Sequence, residues 1–404
     1  MIHLSTSLKY YKREDVQGAL VEHGRDKEVA ARFNDRFGKR PDTLTYPGDV
    51  LELAKQGATS FHCSEELWTN PLQLVPQMPK AELDKLRKGW DLLLDIDCTI
   101  LDYSKIAADL IVNELKLNGI RSVTAKFSGN KGFHIAVPYE AFPQNFLGKE
   151  TRELFPEAPK KMAQYIKERI KKKLGEEILK KENNSFANVA VKTGKKVAEI
   201  TSRNESSEVT ATDKPLLNPE PFLVIDTLLI SSRHMYRMPY SLHEKSGLVS
   251  VPVDVDRIME FSKEHAVTEK VKAGAYPFME RKNAQQNEAE RLFLAAYDFG
   301  KKQTVKVEVK KDSASHGEYE EIEGKIPQQY FPPCIKKMLE GVGDGRKRVM
   351  FVLVNFLCSC SYGNEEVEVV IKEWNQRNKE PLPPLYVATQ LSYNRQKKEK
   401  VLPP

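Results

Sequence analysis

Cysteine is scarce: five residues (Cys63, Cys98, Cys334, Cys358 and Cys360) occur in 404, an odd number with no CxxC spacing. That argues against a disulfide framework and makes a reducing, cytoplasmic setting the expectation. No stretch approaches the roughly 20 consecutive apolar residues needed to span a bilayer, so no membrane partner is expected. The opening residues, MIHLSTSLKYYKRED, turn charged too early for a secretory signal. No internal repeat and no long low-complexity tract is present. Neither sign of charge is missing: 63 Lys and Arg oppose 57 Asp and Glu, for a net charge of +6. That mild excess is compatible with a polyanionic partner without identifying one. Hydrophobic residues at 40% are enough for real cores, and charged residues at 30% imply a well-solvated surface. The length exceeds what one core usually covers, so two domains are expected.

Residues 1–75 mix helical pattern with loops, and Val29 to Phe37 reads as a short amphipathic helix. Trp90 to Asp97 is an apolar run ending in carboxylates and reads as a strand. Ile106, Leu110, Ile111 and Leu115 then fall at helical spacing, closed by Gly119. Ser122 to Phe127 alternates as a strand does, and a glycine-bearing turn leads into a further strand, Phe133 to Val137. Pro159 to Lys181 is a strongly basic helix, followed by a polar, irregular insertion from Lys181 to about Pro215. Strand pattern resumes at Phe222 to Ile230 and Leu248 to Val253, and helical pattern from Val255 to about Phe299. Lys301 to Gly324 reads as a linker or exposed hairpin. Beyond it lies a small helical module with helices at Arg346 to Cys360 and Glu365 to about Asn378.

Three places carry chemistry. Asp95 and Asp97 sit two apart on a strand, so both side chains leave one face. Paired carboxylates repel each other when buried, and a divalent cation resolves the conflict. Ser128-Gly-Asn-Lys-Gly-Phe-His134 fills the turn between two strands. Gly129 and Gly132 permit close backbone approach to a phosphate, with Ser128, Lys131 and His134 as donors. Asp226 ends another hydrophobic run, and Arg237, His243 and Lys245 form a basic cluster suited to a triphosphate. Each element alone also has a bland reading: a solvated strand end, an ordinary hairpin with a partly buried histidine, a basic loop.

Together and in this order they resemble the catalytic subunit of archaeal and eukaryotic DNA primases. That family's pattern is DxD, then SGxxGxH, then a hydrophobic-Asp pair followed by [RK]xPxSxHxKxG. Tyr10 to Arg13 and Ala58 to Leu67 are similar to the family as well, so the resemblance covers roughly residues 1–300. It implies an α+β catalytic domain with a mixed or antiparallel sheet and flanking helices. It also implies Mg²⁺ or Mn²⁺ on Asp95, Asp97 and Asp226, and nucleotide phosphates on Ser128, Gly129, Lys131, His134, Arg237, His243 and Lys245. The implied partners are a single-stranded DNA template, nucleoside triphosphates, a primer duplex and other replication proteins. Family members commonly carry a zinc knuckle near the catalytic block. This chain has no cysteine between Cys98 and Cys334, so no structural zinc is expected.

The C-terminal module is similar to the start of the iron–sulfur domain found in the large subunit of primases, through Phe331-Pro-Pro-Cys334-Ile, Gly345 to Arg348 and Tyr362 to Glu366. Only Cys334 matches a cluster position, and a cluster needs several thiolates, so none is expected in this chain. Either the chain is a piece of a longer one or the module works without metal. The expected organisation is a catalytic domain over 1–300, a linker over 301–324 and a small all-α domain over 325–404, acting as a monomer. Two rival functions stay open: a primase-polymerase that mainly extends existing ends, and a non-catalytic nucleic-acid-binding protein.

Overall fold

The computed structural model describes residues 2–202, 215–226, 230–300 and 324–396. The chain forms two compact units, Met1–Glu308 and Val309–Pro404.

The first unit is built on two antiparallel sheets. The larger has the order β13 (Leu223–Asp226), β6 (Leu92–Cys98), β8 (Phe133–Val137), β7 (Thr124–Phe127), β15 (Pro252–Val253). Every neighbouring pair in it is antiparallel. Side chains alternate across a strand, and this sheet uses the alternation fully. Leu92, Leu94, Ile96 and Cys98 of β6 join Phe133, Ile135 and Val137 of β8 and Ala125 and Phe127 of β7 in the main core. Helices α5 (Leu101–Leu117) and α6 (Glu157–Lys181) cover that face. They bury Ile106, Leu110, Ile111 and Leu115 from one, and Met162, Ile166, Ile170, Leu174 and Ile178 from the other. A helix over 290–300, α9, adds Leu292, Phe293 and Ala296.

The opposite face of the sheet belongs to a second core, to which Leu93 and Ala136 contribute. Its other wall is the smaller sheet, ordered β14 (Met235–Arg237), β3 (Ser60–Ser64), β1 (Val29–Phe33), β2 (Arg36–Phe37), with α1 (Leu4–Tyr11), α2 (Glu14–His23) and α3 (Pro47–Lys55) beside it. Short pairs complete the unit: β4 (Glu66–Trp68) with β5 (Arg87–Trp90), preceded by α4 (Lys80–Leu86); β9 (Asn145–Phe146) with β10 (Lys149–Glu150); and β11 (Thr201–Ser202) with β12 (Leu216–Leu217). Asp91, fully buried where β5 passes into β6, accepts from Lys27 Nζ at 2.7 Å and Arg281 Nη2 at 2.8 Å. That ion triad ties three distant segments together.

Three expectations are corrected. Val29 to Phe37 is a hairpin, not a helix. Asn34 turns the chain at φ 54°, and Val29 to Arg32 pair with Ser60 to Cys63, so non-local pairing overrides an ambiguous apolar spacing. In the insertion after Lys181, Phe186–Thr193 and Val197–Ile200 form helices α7 and α8, with Val189, Ala190 and Ile200 buried in the main core; residues 203–214 lie outside the described ones. The segment from Val255 to Phe299 is mostly 3₁₀ turns and loop until residue 290, because Met279 and Asn287 adopt positive φ and Pro277 interrupts the run. The expected linker lies outside the described residues except for Gly324.

Among its described residues the second unit holds four α-helices and no strand: α10 (Pro333–Leu339), α11 (Arg346–Ser359), α12 (Asn364–Arg377) and α13 (Pro384–Gln396). Its core holds Ile335, Leu339, Met350, Leu353, Leu357, Ile371 and Trp374, and the Trp374 indole donates to Met338 O at 2.8 Å. Cys360 is buried in this core, while Cys334 is exposed at the start of α10. Among the described residues no helix is long and apolar enough to cross a membrane.

Candidate active site

Strand register assembles the site. Lys126 of β7 faces His134 of β8, His134 faces Asp95 of β6, and Asp95 faces Asp226 of β13. Residues directly opposite in an antiparallel ladder share a face, so these four form one transverse row on the side away from the main helices. Asp97, two residues along β6, lies on the same face. A cavity of about 290 Å³ opens over this row, between the two sheets. That is near the lower end of small-ligand pockets.

The Ser128–Gly132 turn forms one rim. Ser128 N donates to Gly132 O at 2.9 Å, and Ser128 Oγ accepts from Gly132 N at 3.2 Å. Gly132 is pressed onto β6: a Cβ there would stand 1.9 Å from the Ile96 carbonyl oxygen, between the two aspartates. A second rim is the loop closed by the Leu242–Val249 bridge, which carries His243, Glu244 and Lys245. Ser246 Oγ donates to Gly129 O at 2.5 Å, and His243 rests against Gly129, so the two motif loops pack directly together.

The electrostatics follow from burial. Desolvation in the cavity raises the Asp95 carboxyl to about 6; Asp97 and Asp226 push the same way, while Lys126 opposes. Lys126 is fully buried, donates to Ser250 Oγ at 2.7 Å, and is pushed down to about 7 by that burial. Burial, with Lys126 and Arg237 nearby, drives His134 well below its usual range, leaving a neutral ring with Nε2 3.4 Å from Asp95 Oδ1. His134 Nδ1 is buried with no hydrogen-bond partner. His243 is lowered to about 4, by burial first and by Arg237 next.

Of the residues singled out from sequence, Asp95, Asp97, Asp226, Ser128, Lys131, His134, Arg237 and His243 line this one cavity. Gly129 lies beneath His243, and Lys245 is exposed on the neighbouring loop; neither lines it. Sequence reasoning missed His62, Glu65 and His234, which also line it. His234 Nδ1 lies 3.1 Å from Glu65 Oε1. Burial alone would lower the imidazole, but the bond to Glu65 and the charges of Asp95 and Asp226 raise it. His62 and Glu65 lie within the Ala58 to Leu67 stretch, where similarity to the family singled out no individual residue, and His234 directly precedes β14.

Among the described residues no group of three or more His, Cys, Asp and Glu side chains forms a ready metal cage. The donor chemistry nevertheless fits a hard divalent cation. Two carboxylates stand opposite each other in register with a third on the same face, and Asp95 is raised partly by their company. Mg²⁺ is typically held by one or two carboxylates, with water and substrate phosphates supplying the rest.

Carboxylates gathered on one sheet face and rimmed by hydroxyl, amide and cationic donors are an arrangement that suits phosphoryl or nucleotidyl transfer. Residues 94–255 match the model of the DNA primase small subunit family. No curated protein matches the chain. Among solved structures it is similar to the polymerase domain of Mycobacterium tuberculosis ligase D in complex with DNA, at 14% identity and a TM-score of 0.39, over 72% of this chain and 92% of that one.

Proposed function

We propose that this chain is a DNA primase that joins nucleoside triphosphates into a short primer on single-stranded DNA, releasing pyrophosphate. The observation that carries the reading is the in-register pairing of Asp226 with Asp95, with Asp97 on the same face, in a cavity that Ser128, Lys131, Arg237 and His243 also line. In this reading Asp95, Asp97 and Asp226 hold Mg²⁺ or Mn²⁺, whose chemistry when bound is to acidify the attacking 3′-hydroxyl and neutralise charge on the departing pyrophosphate.

The chain's own residues do the positioning. Ser128 and Lys131 from one rim, and Arg237, His243 and Lys245 from the other, hold the triphosphate so that its α-phosphorus faces the 3′-oxygen. Neutral His134 steadies Asp95 through the 3.4 Å contact. The 3′-oxygen forms the new bond to the α-phosphorus as the bond to the β-phosphate oxygen breaks, and no covalent enzyme intermediate is needed. Residues 325–404 act as a helical domain similar to the start of the iron–sulfur domain of large primase subunits, holding template or primer through phosphate contacts from its Lys and Arg side chains.

The test is primer synthesis on single-stranded DNA with labelled ATP or dATP, in Mg²⁺ or Mn²⁺, comparing wild type with the Asp95→Ala/Asp97→Ala double variant. Products from wild type alone, with no primer added, support the reading. Extension only of a supplied primer would move the chain to the primase-polymerases. Equal incorporation by both proteins would remove the aspartates from the mechanism.

A further inference from the structure

Beside the cavity lies a cluster of donors gathered on one carboxylate. The Glu244 carboxylate, on the loop between Leu242 and Val249, is 11% exposed. Arg237 donates to it through Nη2 at 2.7 Å and Nη1 at 3.3 Å. The Ser60 hydroxyl donates to Oε1 in a short contact, and His62 Nε2 and Arg32 Nε each stand 3.8 Å from that oxygen. A guanidinium fork, a hydroxyl, an imidazole and a second guanidinium converging on one anion is the donor set that recognises a phosphate. Arg32 Nε is buried without a hydrogen-bond partner, so the set has donor capacity that the carboxylate leaves unused. The donors come from the sheet strands β1, β3 and β14, whereas the anion comes from a loop. Two of them, His62 and Arg237, also line the site cavity, so the cluster opens where the triphosphate would lie.

We infer that Glu244 is an internal anion occupying a phosphate position of the nucleotide site, which nucleotide must expel in order to bind, so that Glu244 sets nucleotide affinity. This rests on the reading of Arg237 as a phosphate-holding group. Bound to Glu244, Arg237 is unavailable; when the loop withdraws the carboxylate, the same fork takes a phosphate oxygen pair. A site competent only in a minor population binds more weakly by that fraction.

The opposite role, a scaffold that holds Arg237 in place, predicts the reverse sign, and the two separate in one experiment. Inorganic tripolyphosphate is titrated into the full chain by calorimetry, for wild type, Glu244→Gln, Glu244→Asp and Arg237→Met. Glu244→Gln keeps the shape and removes the charge; it should bind tripolyphosphate roughly tenfold more tightly, the gain expected if about a tenth of wild-type molecules are open. KM for nucleoside triphosphate should fall by a similar factor. Glu244→Asp, one methylene shorter, should bind more tightly than wild type by a smaller factor, and it carries the test if the glutamine variant fails to fold. Unchanged or weaker binding by the folded Glu244 variants overturns the inference. Arg237→Met binding as well as wild type would instead sink the reading of Arg237 on which the inference stands.

Discussion

Gly132→Ala is the smallest change that reaches the three carboxylates without touching one. The added Cβ would meet the Ile96 carbonyl oxygen at 1.9 Å, and that atom is backbone, in the middle of β6. Restoring ordinary van der Waals separation demands a displacement of roughly 1.5 Å between the turn and the strand. The turn has little freedom to give way, because Ser128 bonds to Gly132 through both its amide and its hydroxyl, and Gly129 is wedged under His243. The strand moves instead, carrying Asp95 and Asp97 away from Asp226. Overpacking of this kind costs about 1–3 kcal/mol in stability, and misplacing catalytic groups by about 1 Å costs on the order of 100-fold in rate. The assay is nucleotide incorporation on single-stranded DNA beside a urea melt. Gly18→Ala serves as control: Gly18 is exposed within α2 with open space around it, so alanine should stabilise by about 0.5–1 kcal/mol. Gly132→Ala retaining activity within threefold of wild type would refute the argument that backbone proximity at this turn holds the carboxylates in place.

Asp91→Asn should destabilise the first unit by about 3–5 kcal/mol in a urea melt, because it leaves Lys27, 1% exposed, without its buried counter-charge. Burial would raise the Asp91 carboxyl, but Arg281 and Lys27 outweigh it and hold it well below the carboxylate range. Its stabilisation is therefore present above about pH 3.9 and lost as pH falls below that, so the gap between wild type and Asp91→Asn should shrink only under acid. His62 behaves differently: burial pushes it down to about 4, against the charge of Glu244. The unfolded chain then takes up a proton that the folded one refuses. Wild type should lose stability relative to His62→Gln as pH drops from about 6.5 toward 4, at about 1.4 kcal/mol per unit of depression; parallel profiles would contradict the neutral assignment.

What the sequence alone determined is local. The alternation in Leu92 to Cys98 separates core side chains from carboxylates before any partner strand is known, because side-chain direction depends only on backbone period. The α5 stripe, the turn glycines and the order of the three motifs are likewise readable from the chain itself. Tertiary structure decided what depends on pairing. Asp226 meets Asp95 only through the β13–β6 register, where a slip of one residue would turn Asp226 into the core. Val29 to Phe33 is a strand because β3 is there to pair with it. Glu65 and His62 reach the cavity because β3 forms its far wall, and Glu244, at an unspecified position of the motif, meets Arg237 only once a loop folds back on a strand. Local pattern records period and turn chemistry; which elements meet is settled by the free energy of burying them together, and that is a property of the whole chain.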